Sequence, residues 1–256
     1  MSAATDSDNR DATTIAVDEL LAANKILSNE GVIDAFGHVS CRHPVRTSHF
    51  LMSRARAPAL VVAEDLMEFD ATGAAIEPNG RHPYIERYIH AAVYAARPDI
   101  RAVVHDHSAE VIPFGVSTVP IRPISHTGGL LGLAVPVWDM QDKFALDSNL
   151  LVVNLDIGRD LAGRLGGGNV VLMRGHGAVA AGYSIRVATI AAVTLNVQAR
   201  LQRDAMALGG PVKYLAPGEV AATAKTFSAE TPGDAIGRTW EYWCARAGVP
   251  FHSRGA

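Results

Sequence analysis

Residues 103–107 read Val-Val-His-Asp-His, and residues 172–177 read Leu-Met-Arg-Gly-His-Gly. Each motif follows a run with strand character, Ile100 to Val104 and Asn169 to Met173. Alternate side chains of a strand point to one face. His105 and His107 therefore aim together at a strand end, and a neighbouring strand brings His176 to them. Three neutral imidazoles are a common ligand set for a catalytic divalent metal, and they leave positions open for substrate.

Outward from these motifs, strands and helices interleave. The spacing of Val17, Leu20, Leu21, Asn24 and Leu27 predicts a helix over 14–29, with a stop near Gly31. Val39 to Arg42 and His49 to Met52 read as short strands, Ala63 to Phe69 as a connecting segment, and Ala75 to Glu77 as another strand. Pro83, tolerated in a first helical turn, opens a helix that runs to Ala96. Its predicted buried stripe is Ile85, Ile89, Ala92, Val93 and Ala96. A short helix over Ser108 to Phe114, a strand over Ala134 to Trp138 and a helix over Gly158 to Leu165 follow. Three glycines, 166–168, break that last helix before the His176 strand. Ser184 to Leu208 is apolar over most of its circumference and reads as a long buried helix. A looser extension, about 210–256, holds a helix near Asp234 to Arg246. The small, polar residues 1–12 read as a disordered tail, and 13–256 as one α/β domain.

Composition narrows the setting. The 256 residues are 48% hydrophobic and 19% charged, with a formal net charge of −3. That balance favours no nucleic-acid partner. The two cysteines, Cys41 and Cys244, form no CxxC motif, so neither a disulfide framework nor a thiolate zinc site is implied. The start of the chain lacks the apolar core of a signal peptide. The longest apolar stretch, Val187 to Ala199, is too short and too polar to span a membrane. The expectation is a cytoplasmic protein with no membrane partner.

Glu86 stands four residues before His90, on the same face of the Pro83 helix. A carboxylate there can ligate a metal or move protons. The i, i+4 spacing makes His90 an equal competitor, and the residues alone do not choose between them.

The chain resembles the class II aldolase and adducin family. The resemblance is carried, in order, by Phe36-Gly37-His38-Val39-Ser40-Cys41-Arg42, Pro83-Tyr84-Ile85-Glu86 with His90, Val103-Val104-His105-Asp106-His107-Ser108 and Arg174-Gly175-His176-Gly177. It spans roughly residues 14–208. It implies an α/β/α sandwich with a central, largely antiparallel sheet. It further implies a divalent metal (Zn, Mn, Co, Fe or Mg) on His105, His107 and His176, and a homotetramer with active sites at subunit interfaces. Glu86 matches the family's acid/base and His90 a position outside the ligand set, which shifts the choice to Glu86.

Departures from the family pattern point away from sugar phosphates. The family's sugar-phosphate aldolases carry Pro-Ser-Ser-Glu, and this chain has Tyr84 and Ile85 at the two serine positions. His38 replaces their asparagine. Residues 52–58, Met-Ser-Arg-Ala-Arg-Ala-Pro, replace a Thr-Pro-Ser-Gly loop. Phosphate wants hydroxyls, N–H groups and cations, and isoleucine offers none. Arg54 and Arg56 instead suit a planar carboxylate. Ser53, His38, Tyr84 and His126 complete the candidate substrate contacts, and Arg81, His82 and Arg174 are further polar candidates of the same kind.

The pattern is most similar to the family's decarboxylase branch, whose substrates include carboxylated 2-hydroxymuconate semialdehydes and 3,4-dihydroxyphthalate. The expected function is a metal-dependent decarboxylase acting on such a carboxylate through a metal-stabilised enolate. Three alternatives stand beside it. An aldolase on an unphosphorylated 2-oxo or 2-hydroxy acid would release aldehyde. A mononuclear iron oxygenase would consume oxygen. A non-catalytic interaction module would hold no metal. Trp240, Tyr242 and Trp243 read either as packing or as a cover for a planar substrate.

Overall fold

The computed structural model describes residues 11–144, 147–227 and 234–251. The tail expected over 1–12 lies outside the described residues up to position 10. Its last two residues are ordered, because Asp11 caps the first helix. That carboxylate accepts the backbone N–H groups of Thr13 and Thr14 at 2.8 and 3.0 Å, so helix α1 runs Ala12–Asn29. Gly31, at φ +68°, turns the chain where a side chain would be strained.

Strands β1 (His38–Arg42), β2 (Phe50–Ser53), β3 (Leu66–Phe69) and β4 (Ala75–Ile76) form a meander. Helix α2 (Arg87–Ala96), β5 (Ala102–Asp106), the short α3 (Ile112–Gly115), β6 (Val137–Trp138) and α4 (Leu155–Leu165) follow. Then come β7 (Val170–Met173), β8 (Gly177–Gly182), α5 (Ile185–Ala207), α6 (Pro217–Ala224) and α7 (Ala235–Ala247). The sheet order is β4-β3-β2-β1-β5-β8-β7-β6. Every adjacent pair is antiparallel except β6 and β7.

Period-two alternation sorts the strand residues into two cores. Val39, Cys41, Ala102, Val104, Leu172 and Ala180 face α1, α5 and α7. Met52, Phe69, Val103, Val171, Val179 and Ala181 face α2 and α4. The result is the expected α/β/α sandwich. Where α2 meets α4, a Cβ on Gly158 would lie 2.6 Å from the Tyr88 carbonyl oxygen, so close helix packing requires glycine there.

The structure corrects several expectations. The segment over 63–69 contains β3, which lies between β2 and β4 in the meander. β8 was not anticipated; its Gly-Ala-Val-Ala-Ala-Gly run is weak in β propensity and is held by its neighbours β5 and β7. The helix begins at Arg87, not Pro83. Pro83 instead bridges to Arg54, and Glu86 is the residue before the first helical turn. Ile85 is consequently exposed rather than part of the buried stripe, and Ala96 is exposed too. Trp240 and Trp243 pack in the α1–α5–α7 core, on the opposite face of the sheet from α2. Tyr242 is exposed, so packing accounts for the two tryptophans and not for it. Among the described residues no helix is long and apolar enough to cross a membrane.

Candidate metal centre

The α2 face of the sheet carries polar groups at one end. His105 follows Val103 on that face of β5, and His107 sits just past the strand end. The register pairs His38 with His105 and Asp106 with Ala178. At the start of β8 a Cβ on Gly177 would fall 1.8 Å from the Asp106 carbonyl oxygen. Only glycine allows this approach, and it brings the β7–β8 turn, with His176, against His107.

Glu86, His105, His107 and His176 place one ligand atom each within 4.8 Å of one another. His107 Nε2 lies 3.1 Å from His105 Nε2 and 3.0 Å from His176 Nε2. Glu86 Oε2 lies 3.4 Å from the Nε2 atoms of both His105 and His176. Its other oxygen accepts the Val152 N–H at 2.9 Å, which fixes the carboxylate plane. Glu86, rather than His90, therefore joins the three histidines.

The opposite ring nitrogens define the tautomers. His105 Nδ1 donates to the Ala178 carbonyl at 3.1 Å and His176 Nδ1 to the Leu150 carbonyl at 2.9 Å. His107 Nδ1 donates to both carboxylate oxygens of Asp34 at 3.2 Å. A carbonyl can only accept. Each ring thus carries its proton on Nδ1 and turns an Nε2 lone pair toward a common point. Three lone pairs and a carboxylate oxygen need a shared cation. Tetrahedral bonds of about 2.1 Å place neighbouring nitrogens roughly 3.4 Å apart, close to the spacing found. The donor set fits a divalent metal, and the Nδ1 acceptors are the usual outer partners of metal-bound imidazoles.

Electrostatics agree. Burial opposes charge on Glu86, but His105 and His176 beside it hold its carboxyl well below the usual carboxylate range. Burial also opposes charge on Asp34, while the Phe36 and Gly37 N–H groups and His107 hold its carboxyl low. Asp34 is a site residue that the sequence motifs do not mark. Its signal was the acidic residue opening the Asp34-Ala35-Phe36-Gly37 loop. Replacing Asp34 by alanine is expected to lower metal affinity about 10–100-fold, with Asp34→Asn in between. Competition against a chromophoric chelator reads this directly.

A cavity of about 670 Å³ opens beside the cluster. His38, Arg56, Tyr84, Glu86 and His107 line its polar side, and Phe36, Ile85 and Leu151 its apolar side. The Tyr84 hydroxyl donates to the Arg56 carbonyl, and its ring tilts against His38 at 4.6 Å between centroids. Ser53 is buried under Tyr84 and does not line the cavity. Asp65 binds both arginines of the loop, Arg54 Nε at 2.7 Å and Arg56 Nη1 at 2.7 Å. One carboxylate against two guanidiniums leaves a net positive charge, and only Arg56 of the pair lines the cavity.

The remaining candidates lie elsewhere. His126 is exposed at the start of a 3-10 helix packed on α5 and α6, and lines neither the cluster nor the cavity. Arg81 binds the Leu66 carbonyl at 2.8 Å. Arg174 pairs with Asp139 at 2.5 Å. Both are structural ties, whereas His82 lies on the cavity rim.

Comparison with known proteins matches these observations. Residues 18–203 match the model of the class II aldolase and adducin N-terminal domain. The chain is 33% identical to decarboxylase tropJ of Talaromyces stipitatus, over 90% of this chain and 93% of that one. It is 30% identical to a 3,4-dihydroxyphthalate decarboxylase of Terrabacter sp., over 88% and 94% respectively. Its fold is similar to the solved L-fuculose 1-phosphate aldolase of Glaciozyma antarctica, with a TM-score of 0.76 and 22% identity over 98% and 97% of the two chains.

Proposed function

The chain belongs to the class II aldolase and adducin family, and from that premise we propose that it is a metal-dependent decarboxylase. Its substrate would be an aromatic-catabolism intermediate, such as a carboxylated hydroxymuconate semialdehyde or a dihydroxyphthalate. The observation that carries this reading is the set of three Nε2 lone pairs and one carboxylate oxygen converging beside a cavity with an arginine in its wall. The decarboxylases among its relatives support it.

Losing carbon dioxide leaves an electron pair on carbon, which must spread onto an adjacent oxygen. A divalent metal on His105, His107, His176 and Glu86 supplies a Lewis acid for that oxygen. Glu86 is held ionised, so it begins as a base. It takes the proton of the substrate's hydroxyl and returns it to the carbon that the carboxylate leaves. One further proton comes from solvent, so the net change is carboxylate plus proton to carbon dioxide plus a C–H bond. Arg56, held by Asp65, binds a carboxylate that stays. Tyr84 and His38 shape the floor, and Phe36 and Ile85 contact the apolar part of a planar substrate. The same reading carries a homotetramer, in which the exposed Phe36 and Ile85 at the cavity mouth lie near a subunit boundary.

The test is elemental analysis of the purified protein with a carbon-dioxide-release screen over ortho-hydroxy and β-oxo carboxylates. Metal-dependent release supports the reading, and aldehyde without carbon dioxide would replace it with the aldolase. Arg56→Ala is expected to raise KM about 10–100-fold with a smaller change in kcat, the loss of a charged hydrogen bond in substrate binding. Arg54→Ala should act more weakly. Unchanged kinetics in both would remove the anion site.

A further inference from the structure

A chain of four polar groups leads from the cavity wall into the core. His38 Nδ1 lies 2.7 Å from His90 Nε2, His90 Nδ1 lies 2.6 Å from Ser40 Oγ, and Ser40 Oγ lies 2.7 Å from the Tyr94 hydroxyl. β1 supplies His38 and Ser40, two residues apart on one strand face. α2 supplies His90 and Tyr94, four apart on one helix stripe. All four are buried. Both rings are buried and neither bonds a carboxylate among the described residues, which favours the neutral forms.

Neutral groups allow a proton count. Each imidazole carries one N–H and each hydroxyl one O–H, so the chain holds four protons. Three hydrogen bonds use three of them, and the fourth is left at one end or on Ser40, whose hydroxyl has no third partner among the described residues to take it. The inner end offers no outlet. Among the described residues Ser40 is the only side chain bonded to the Tyr94 hydroxyl. Among the described residues no backbone carbonyl accepts from that hydroxyl either. A buried hydroxyl proton without an acceptor is costly. At the outer end, His38 Nε2 has no protein partner among the described residues, and its ring lines the cavity.

We infer that Tyr94, Ser40 and His90 donate in sequence toward the cavity, so that His38 presents a neutral Nε2–H donor for a substrate oxygen that gains negative charge. The substrate class rests on the decarboxylase reading, and the tautomer does not. The His38 and His105 ring centroids are 5.0 Å apart, which puts the donor beside the candidate metal centre. It is also the opposite tautomer to His105, His107 and His176. A neutral donor strengthens its bond as charge grows on an oxyanion, yet it does not pair tightly with the carboxylate that must depart. His90, Ser40 and Tyr94 are positioning residues, acting through His38.

Long-range ¹H–¹⁵N NMR of the full chain, labelled at histidine and loaded with zinc, tests the tautomer. The His38 signals are assigned by their disappearance in His38→Gln. Nε2 is expected in its protonated form and Nδ1 as an acceptor; the reverse overturns the inference, whatever the protein turns over. His38→Leu is expected to lower kcat for carbon dioxide release about 10²–10³-fold, with zinc content kept. His38→Gln, which retains an N–H donor, is expected to recover part of that loss. Equal losses in the two variants, or a change confined to KM, would overturn the catalytic role. If the wild type releases no carbon dioxide from any carboxylate, the decarboxylase reading falls and the NMR result alone decides the donor.

Discussion

His107→Ala is expected to abolish metal retention and carbon dioxide release together. His107 Nε2 is the central member of the cluster, within 3.1 Å of both other imidazole nitrogens. Removing it leaves two imidazoles and a carboxylate, and a site built for Nε2 ligands has no nearby substitute. Loss of an outer partner typically costs 10–100-fold in metal affinity, so loss of a ligand should exceed about a hundredfold. The fold should survive, because His107 lies past the end of β5 and its side chain is 19% exposed. Far-UV circular dichroism and thermal unfolding without metal are thus expected to stay close to wild type. A variant that is active and metal-free would end the metal assignment. One that keeps metal but loses activity would make His107 a substrate contact instead.

Glu86→Gln should separate ligation from proton transfer. Glutamine preserves the shape, and its carbonyl oxygen can still accept the Val152 N–H that Glu86 Oε1 accepts at 2.9 Å. What disappears is the negative charge facing His105 and His176 and the capacity to take up a proton. General acid–base groups contribute about 10²–10⁴-fold, and kcat is expected to fall by that order while KM moves little. Metal affinity should weaken as well, since one anionic oxygen leaves the donor set. Assaying at saturating metal isolates the catalytic loss. Because Glu86 is held ionised far below neutral pH, the acid limb of the wild-type pH–rate profile should not belong to it. That limb should instead follow protonation of the imidazole ligands and shift to lower pH as metal concentration rises, metal and proton competing for the same nitrogens.

The candidate cluster was legible because its ligands are side chains on strongly patterned segments. His105 and His107 follow Val103 and Val104, and period two with burial puts both imidazoles on one face at a strand end. Choosing Glu86 over His90 needed the family resemblance. The geometry explains why spacing was not enough: Glu86 precedes the helix, so the i, i+4 relation to His90 does not apply to it. Its carboxylate turns to the three clustered histidines while His90 turns to His38 and Ser40. Three features carried no signal. The acceptors for His105 and His176 are the backbone carbonyls of Ala178 and Leu150, and every residue has one. β8 is built from alanine and glycine, which propensity does not mark as strand. Arg54 and Arg56 read as free cations, although a carboxylate nine residues beyond Arg56 in sequence binds them both.

The ladder pairing of His38 with His105 bears on how preparations of this protein should be judged. A slip of one residue between β1 and β5 would carry His38 and Ser40 to the opposite core and bring apolar partners in their place. Such a misregistered molecule would keep most of its secondary structure while losing the alignment of its central histidines. Rates normalised to total protein would then average competent and incompetent molecules. Titrating active sites, with turnover expressed per bound metal, would count only the chains whose central strands closed in register.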